Sequence, residues 1–500
     1  MKAQEALPRL EEIVDRSGVA ESIEALLPVG ARRRQLSVRT LLIGIMLALS
    51  DHRPAHLVRV CEALRSLSLE DRRRLSVTAC WRQGEHDLTY RQTERTYGLV
   101  VQALAKQEPD GSSSIALSEV LDRLLEASVQ VSGNPQSRAL AIDWSAYESF
   151  ARPPHGPQQR CKDSEGAWGH RTSNHPSQSE AFFGYYLQAA TIVKEENGAE
   201  VPELVRRIQI ASPKHDPPAQ MVPAIERMVA DGIQIGDLLA DSGYSYRAPE
   251  TFAAPARAAG AMLVIDLHPN DRGAKGTYQG AILCNGNLYC PASPKALLEL
   301  SPLRPGASGE QAAVHDRMAG ELASYKLSPL QSPDEEGYRR LACPAVRGKL
   351  RCPLRQQSMT LSHERPTVLG PPEHKPVCCE QQTITVAPSV AAKTRQKHDY
   401  PSPAHRRSYA RRSAAERTFS RLFDPASNDI ARGWCCLAGL TANALMLACV
   451  FVVSNIRTAD AFAARQAQER RRRERGLPPR RRRRPRRTPQ ELATADAAPG

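Results

Sequence analysis

The stretch DLLADSGYSYRAPETF, from Asp237 to Phe252, decides the predicted fold. An apolar run ends in Asp241, a Ser-Gly turn follows, and the start of a helix comes next. This pattern predicts a short buried strand with a carboxylate at its end. A carboxylate in such a place destabilises the fold unless water, a hydrogen-bond donor or a cation compensates its charge. Asp241 is therefore the first candidate functional residue.

A second apolar strand also leads to an acid. In RALAIDWSAY, from Arg138 to Tyr147, the apolar residues end at Asp143. Between 136 and 269 the pattern predicts strand, strand, strand, helix, strand, helix, strand, which is typical of an α/β domain. If the two acid-bearing strands are neighbours, both carboxylates lie in one crevice at the sheet edge, where open α/β sheets bind ligands.

Composition divides the 500 residues into several segments, because the chain is too long for one ordinary core. Apolar positions at helical spacing precede the α/β pattern, and strand-like pieces between Pro-rich loops follow it. The predicted segments are an N-terminal helical domain (1–135), the first part of an α/β core (136–269), an inserted, mainly β subdomain (270–400), the C-terminal helices of the core (401–460) and a disordered Arg-rich tail (461–500).

The positive charge is concentrated near the C-terminus. The 13 Arg and 2 Glu between Arg465 and Arg487 supply +11 of the net charge of +14, which leaves +3 for the remainder. A tail of this kind attracts phosphate groups without sequence preference. The charge therefore predicts a polyanionic partner for the tail but no generally basic folded body.

Two segments bear on the cellular location of the protein. The N-terminal residues MKAQEALPRLEEIVDRSG contain no apolar signal core, which predicts a cytoplasmic protein. The run WCCLAGLTANALMLACVFVVSNI, from Trp434 to Ile456, has 23 residues without charge and is long enough to span a membrane. Gly439, Thr441 and Asn443 interrupt it, so we favour a buried core helix, with a membrane anchor as the alternative.

A third acid completes a candidate site. Two neighbouring carboxylates repel each other unless a divalent cation favours their charged forms. Hard oxygen ligands suit magnesium or manganese. The helical stretch YARRSAAERTFSRL, from Tyr409 to Leu422, supplies Glu416 as a third oxygen ligand.

These motifs together resemble a DDE transposase of a bacterial insertion sequence. AIDWS is similar to the strand of the first catalytic Asp, and LADSGY to the strand of the second. The spacing Tyr409, Arg412, Glu416 is similar to the signature helix of the branch whose core carries a β insertion. The 175 residues from Asp241 to Glu416 leave room for that insertion.

The resemblance implies an RNase H-like catalytic core interrupted by the insertion. It implies that Asp143, Asp241 and Glu416 hold two divalent ions, Mg²⁺ or Mn²⁺, and that Tyr409 and Arg412 bind DNA. The implied partners are double-stranded DNA, as transposon ends and as target, and a second copy of the chain in a homodimer. The N-terminal helical domain would bind the ends or the second copy. No membrane partner is implied.

The chain departs from this family at one position. The family has Lys seven residues after the catalytic Glu, where this chain has Phe423. A helix turns about 100° per residue, so residue 423 lies on the same face as Glu416. A cation that would hold a DNA phosphate is therefore missing. This leaves open a DNA-binding transposase remnant with impaired catalysis, and an RNase H-like nuclease without strand transfer is also open.

Each acid also has a purely structural interpretation. Asp143 or Asp241 could cap a turn, and Glu416 could form a helical ion pair with Arg412. Among the other acids, Asp237 is expected to be exposed before its strand, and Asp266 either faces the site or pairs locally.

Half of the 12 cysteines lie in the predicted insertion. A small β subdomain gains stability from a structural metal, so a structural zinc site is one prediction and ordinary buried thiols are the other. The spacing does not select the ligands, because no C-x2-C pair occurs among these residues. The candidates are Cys284, Cys290, Cys343, Cys352, Cys378 and Cys379.

Overall fold

The computed structural model describes residues 3–28, 35–52, 56–81, 84–105, 115–154, 160–172, 179–304 and 306–478. Within them the chain is a mixed α/β protein with helices at both ends, a central sheet and two small sheets in between. The prediction of an α/β fold is confirmed at this level.

The N-terminal part is mainly helical. Capping side chains fix two helix starts: Ser37 accepts a hydrogen bond from the Thr40 amide, and Thr89 and Gln92 form a capping box. A short hairpin separates the helices. The elements are α1 (Ala3–Ser17), α2 (Val19–Leu26), α3 (Val38–Ser50), α4 (Leu57–Arg65), α5 (Leu69–Arg74), β1 (Thr78–Trp81), β2 (Gly84–Asp87), α6 (Tyr90–Leu104) and α7 (Ile115–Val131).

The central sheet follows, with one strand more than the sequence predicted. The predicted hairpin of β5 and β6 is present, and β4 pairs with the first half of β5. The elements are β3 (Leu140–Glu148), β4 (Ala167–Thr172), β5 (Ser179–Ile192), β6 (Val205–Ala211), α8 (Pro217–Ala230), β7 (Asp237–Ala240), α9 (Ser242–Ser245), α10 (Ala253–Ala258) and β8 (Met262–Ile265).

The order of strands across this sheet is β6–β5–β3–β7–β8, with β4 beside β5 on the same edge as β6. β5 is antiparallel to β3 and β6, whereas β7 is parallel to β3 and to β8. The two acid-bearing strands β3 and β7 are therefore direct neighbours at the centre of the sheet.

One boundary differs from the sequence prediction. β3 does not end at Asp143 but continues to Glu148, because residues 143–148 remain paired with β5 from Ala189 to Gly184. Only the parallel pairing with β7 ends before Asp143. The acid thus lies inside a long strand, at the place where its shorter neighbour stops.

Residues 270–400, predicted as a mainly β insertion, also contain a helix of 17 residues, α12. A capping box of Ser308 and Gln311 starts this helix. Two three-stranded antiparallel sheets flank it in sequence. The elements are β9 (Ala274–Tyr278), β10 (Ala281–Cys284), β11 (Asn287–Tyr289), α11 (Lys295–Leu298), α12 (Gly309–Tyr325), β12 (Ser328–Pro329), β13 (Arg339–Ala342), α13 (Gln356–Met359), α14 (Val377–Glu380) and β14 (Thr383–Val386).

Three helices follow residue 400: α15 (Pro403–Tyr409), α16 (Ser413–Phe423) and α17 (Leu440–Glu474), with a 3-10 turn (Ala410–Arg412) before α16. The segment 461–474, predicted as part of a disordered tail, is helical, since Ala, Arg, Gln and Glu favour helix. Gly476, with a φ of +66°, follows its end. Residues 479–500 of the predicted tail lie outside the described residues.

The apolar part of α17 packs inside the protein. One 18-residue window is apolar enough to cross a membrane by length and composition, and 89% of it is buried within the fold. Its side chains share one core with α1, α3 and one face of the sheet, including Leu187 and Ala189 of β5. This burial agrees with the interpretation of the run as a core helix.

The packing on the two faces of the sheet determines where the candidate site lies. Side chains of a strand alternate between faces, so Leu140 and Ile142 pack against α8, whereas Ala139 and Ala141 pack against Ala414 and Ala415 of α16. Asp143 lies two residues after Ala141, so its side chain is on the same face of the sheet, the face that α16 covers.

Candidate functional site

Two carboxylates meet where β7 ends beside β3. The parallel register pairs Leu140 with Leu238 and Ala141 with Leu239. Two residues further along both strands, this register brings Asp143 beside Asp241. Ala141 and Leu239 pack against α16, and each acid follows one of them by two residues. Both acids therefore lie on the face of the sheet that α16 covers. The two acids therefore lie side by side, as expected if their strands are neighbours.

The third acid comes from α16. Its small residues Ala414 and Ala415 are buried against the sheet, which brings the start of the helix close to the two strands. Arg412 lies in the 3-10 turn and Glu416 one turn later, so both follow the same side of the helix. The side chain of Glu416 is 60% exposed and therefore accessible from solvent.

One guanidinium connects the three acids. Nη2 of Arg412 lies 2.9 Å from Oδ2 of Asp143 and 3.8 Å from Oδ2 of Asp241, while Nη1 lies 2.5 Å from Oε1 of Glu416. The Arg412 side chain is only 13% exposed. The three predicted acids are thus brought together, and the predicted DNA-binding residue Arg412 lies between them.

The electrostatics of the site follow from burial. Burial is the largest influence on Asp143 and, with the nearby Asp241 and Glu416, raises its pKa to about 6 despite the opposing effect of Arg412. Burial also raises the pKa of Asp241, against Arg412 and the backbone amides of Gly243 and Tyr244. The fold therefore holds two carboxylates whose ionised forms need a cation.

Asp241 also has the structural role that the sequence left open. Its Oδ1 accepts a hydrogen bond of 3.0 Å from the Gly243 amide and caps the short helix α9. A Cβ at Gly243 would lie 2.3 Å from the Trp144 ring, so only glycine fits this turn. The cap uses one oxygen and leaves Oδ2 directed towards Arg412. Capping and a functional role are therefore compatible.

Asp237 was expected to be exposed, and this expectation is wrong. Its side chain is 1% exposed and forms ion pairs with Lys397, at 2.8 Å, and with Arg411, at 2.7 Å. This acid can be buried at the start of the strand because two cations from distant segments compensate its charge. Arg411 directly precedes Arg412, so consecutive arginines contact acids at opposite ends of β7. The sequence signal was the Arg-Arg pair, whose partner acids lie far away in sequence.

Other predicted residues lie around the acids without joining them. Tyr409 stacks on His405 with ring centroids 5.6 Å apart and packs against the small residues under α16. Asp266 pairs locally with Arg272 at 3.2 Å. It also accepts a hydrogen bond of 2.7 Å from the hydroxyl of the distant Tyr400, and its charge helps to raise the pKa of Asp241. Phe423 is half-buried and packs against the main core.

Four of the six candidate cysteines, Cys284, Cys290, Cys343 and Cys352, belong to one apolar cluster. The Cys284 thiol donates to the Leu298 carbonyl at 3.3 Å. Burial raises the pKa of Cys290 to about 12, and the thiols of Cys343, Cys379 and Cys352 add to this rise, so these sulfurs lie near one another. Cys378 lies beside Cys379 and bonds to its thiol. Zinc at these residues stays a prediction.

No group of three or more His, Cys, Asp or Glu side chains within the described ranges has the arrangement of a metal site. At the candidate site, Arg412 occupies the space between the carboxylates. The donor set nevertheless fits a hard divalent ion, since all three side chains offer carboxylate oxygens and the place already holds a positive charge. A bound ion would require Arg412 to move away.

We expect Asp143→Asn to stabilise the protein increasingly as pH rises. Because the folded pKa of Asp143, about 6, lies above its unfolded value of 3.8, its contribution is fully present below about pH 4 and is lost as pH rises through 6. The gap in unfolding free energy between variant and wild type should grow by up to about 3 kcal/mol between pH 4 and pH 7.

Urea unfolding in EDTA at several pH values measures this gap. Glu335→Gln, which removes an exposed acid, is the matched control and should show no such trend. A difference between Asp143→Asn and wild type that stays constant from pH 4 to pH 7 would show that Asp143 ionises as an ordinary surface carboxylate.

No protein-family model matches this chain, and no curated protein is significantly similar to it. The function is therefore inferred from the arrangement of the chain's own residues.

Proposed function

We propose that this protein is a DDE transposase that cleaves DNA at the ends of an insertion sequence and joins those ends to target DNA. The observation that carries the proposal is the convergence of Asp143, Asp241 and Glu416 on one cation, the Arg412 guanidinium. Two of these acids come from adjacent parallel strands and the third from a helix about 170 residues further along. A purely local structural role would not require such a convergence.

The sheet supports an RNase H-like core as part of the proposal. The antiparallel strands β6, β5 and β3 continue into the parallel strands β7 and β8, and helices separate the parallel strands in sequence. This is the element order on which the resemblance rests. The insertion lies between β8 and α15, which agrees with the branch that carries its insertion before the Glu helix.

The chemistry would be metal-dependent phosphoryl transfer. Two divalent ions, Mg²⁺ or Mn²⁺, would activate water or a DNA 3′ hydroxyl and stabilise the leaving oxygen. Asp143, Asp241 and Glu416 would supply the carboxylate ligands. Asp143 would have to release the proton that its raised pKa favours at low pH.

Arg412 would exchange partners during the reaction. In the absence of metal it neutralises the carboxylates, and a bound ion would take over this role. Its guanidinium would then be free to bind a backbone phosphate with paired N–H donors. Arg411 would keep the turn in place during this exchange, because it pairs with the buried Asp237 and not with the three acids of the candidate site.

The partners in this proposal are double-stranded DNA and a second copy of the chain. The N-terminal helices would contact the element's ends or the second copy, and the Arg-rich tail would add non-specific attraction to phosphate. A cytoplasmic location belongs to the same proposal.

A catalytically impaired, DNA-binding transposase remnant is the second candidate, and one observation favours it. Phe423 stands where the resembling family has Lys, and it is half-buried against the core. It supplies no cation for a DNA phosphate. End binding would then depend on Arg412 and Tyr409, and the activity assay below separates the two candidates.

We expect Asp143→Asn, Asp241→Asn and Glu416→Gln each to lower the rate of cleavage at the element's ends by roughly a thousandfold or more. The three acids would act as one unit, so the loss of any one of them disables the site. DNA binding should remain within a few-fold of wild type, because neutralising an acid does not remove a phosphate contact. A gel assay with labelled ends and Mg²⁺ measures cleavage and joining.

Glu335→Gln serves again as the control and should cleave normally. Wild-type protein that binds the ends without cutting them supports the remnant instead. Cleaved ends without joined products support a nuclease. Full activity in the three acid variants would contradict the proposed site.

Replacing Arg412 should make the three acids bind a divalent ion more tightly. Arg412→Ala removes the internal cation that an incoming ion must displace, so the affinity for Mn²⁺ should rise by about tenfold or more, the equivalent of one charge-assisted hydrogen bond. Electron paramagnetic resonance of free Mn²⁺ measures this affinity. Arg407→Ala, at an exposed position on α15, is the control. Unchanged or weaker binding in Arg412→Ala would show that Arg412 does not occupy the ion's place.

A further inference from the structure

A cavity of about 480 Å³ lies in the inserted region, away from the acids. The β10–β11 hairpin, the end of α12, strand β13 and the segment 390–399 form its walls. Its charged lining is strongly positive, with four cations and one acid. These residues are Lys326, Arg339, Arg395, Lys397 and Asp399.

Both lysines of the cavity already have acidic partners. Lys326 forms an ion pair with Asp399. Lys397 pairs with Glu196 at 2.9 Å and with Asp237 at 2.8 Å. The lysines are therefore neutralised by the protein itself, and the unbalanced charge of the cavity belongs to the two arginines.

Arg339 and Arg395 have no such compensation within the described part of the chain. Nε of Arg339 and Nη1 of Arg395 are buried and have no hydrogen-bond partner, and the same is true of Nε2 of Gln396. Gln396 is held in place by its other atom, since Oε1 accepts a hydrogen bond of 2.7 Å from the Ile265 amide. Three nitrogen donors of the cavity lining are thus left unused.

A third arginine increases the positive charge behind the cavity. Arg257 donates to the backbone carbonyls of Ala392 and Arg395 and pairs with no carboxylate among the described residues. Burial, followed by repulsion from Arg395 and Arg339, lowers the pKa of Arg257 to about 10. Burial and repulsion from Arg395 lower the pKa of Arg339 to about 10. Buried cations that repel each other require an anion for compensation.

The position of Arg395 is fixed by a close backbone contact. A Cβ at Gly286 would lie 2.2 Å from the Thr394 carbonyl oxygen and 2.9 Å from the Arg395 amide nitrogen. Gly286 also has a φ of +83°, which favours glycine, in the turn between β10 and β11. The hairpin and the arginine segment therefore touch directly, and a side chain at Gly286 would push them apart.

We propose that this cavity binds a phosphate group, held by the guanidinium groups of Arg339 and Arg395 with the Gln396 amide as a further donor. Tetrahedral oxyanions accept several hydrogen bonds at once, and planar guanidinium groups match them with paired donors. The cavity of about 480 Å³ leaves room for a group attached to the phosphate. Backbone phosphate of DNA and a free phosphate monoester are the two sources. The site does not depend on the proposed transposase activity.

Binding of inorganic phosphate to the full chain tests the site directly. Calorimetric titration at fixed ionic strength should show saturable binding to wild type, and phosphate should raise its melting temperature. Arg339→Gln and Arg395→Gln should each lose about tenfold or more in phosphate affinity, because each removes a charge-assisted contact. Both variants should fold, since each relieves repulsion among unpaired arginines.

Arg340→Gln is the matched control, because this neighbouring residue of β13 is exposed and donates to Thr383 instead. A second titration measures the affinity of each variant for a DNA duplex, with and without phosphate. Weaker DNA binding in Arg339→Gln and Arg395→Gln, with competition by phosphate, identifies DNA as the source. Unchanged DNA binding with lost phosphate binding identifies a free monoester. The proposal is overturned if both variants match Arg340→Gln in phosphate and DNA affinity.

Discussion

Two consecutive arginines hold the centre of the sheet and the acid site together. Arg411 pairs with the buried Asp237 at the start of β7, and Arg412 contacts Asp143 and Asp241 where the same strand ends. Without these guanidinium groups, the fold would bury carboxylates that repel each other in a poorly solvated place. The position of α16 depends on the same contacts, because both arginines lie in the turn that precedes it.

The small residues below α16 make this arrangement geometrically feasible. Ala414 and Ala415 pack on Ala139 and Ala141, and four alanines allow a helix to approach a sheet closely. Larger side chains would lift the helix and move Glu416 away from the strands. Packing therefore sets the distances of the site, and the arginines set its charge. In the proposed catalytic site, an ion could therefore replace Arg412 without disturbing the packed alanines.

The sequence indicated the three acids that meet at Arg412 better than it indicated their surroundings. Asp143, Asp241 and Glu416 could be selected as candidates because each follows a local pattern, an apolar strand or a helical spacing. The burial of Asp237 was missed because its partner Arg411 lies 174 residues away in the chain. The helix α12 and the extension of α17 to Glu474 were missed because exposed polar helices lack a strong apolar period. The unpaired arginines of the cavity could not be found from sequence, since pairing depends on tertiary contacts.

Anomalous diffraction from crystals grown with Mn²⁺ would test most directly the proposal that three carboxylates enclose a place for a divalent ion now held by Arg412. We expect an anomalous peak between Asp143 and Asp241, with carboxylate oxygens at coordination distance and the Arg412 guanidinium displaced towards solvent or DNA. A structure at saturating Mn²⁺ with no peak at these residues, and with Arg412 still bound to all three acids, would contradict it.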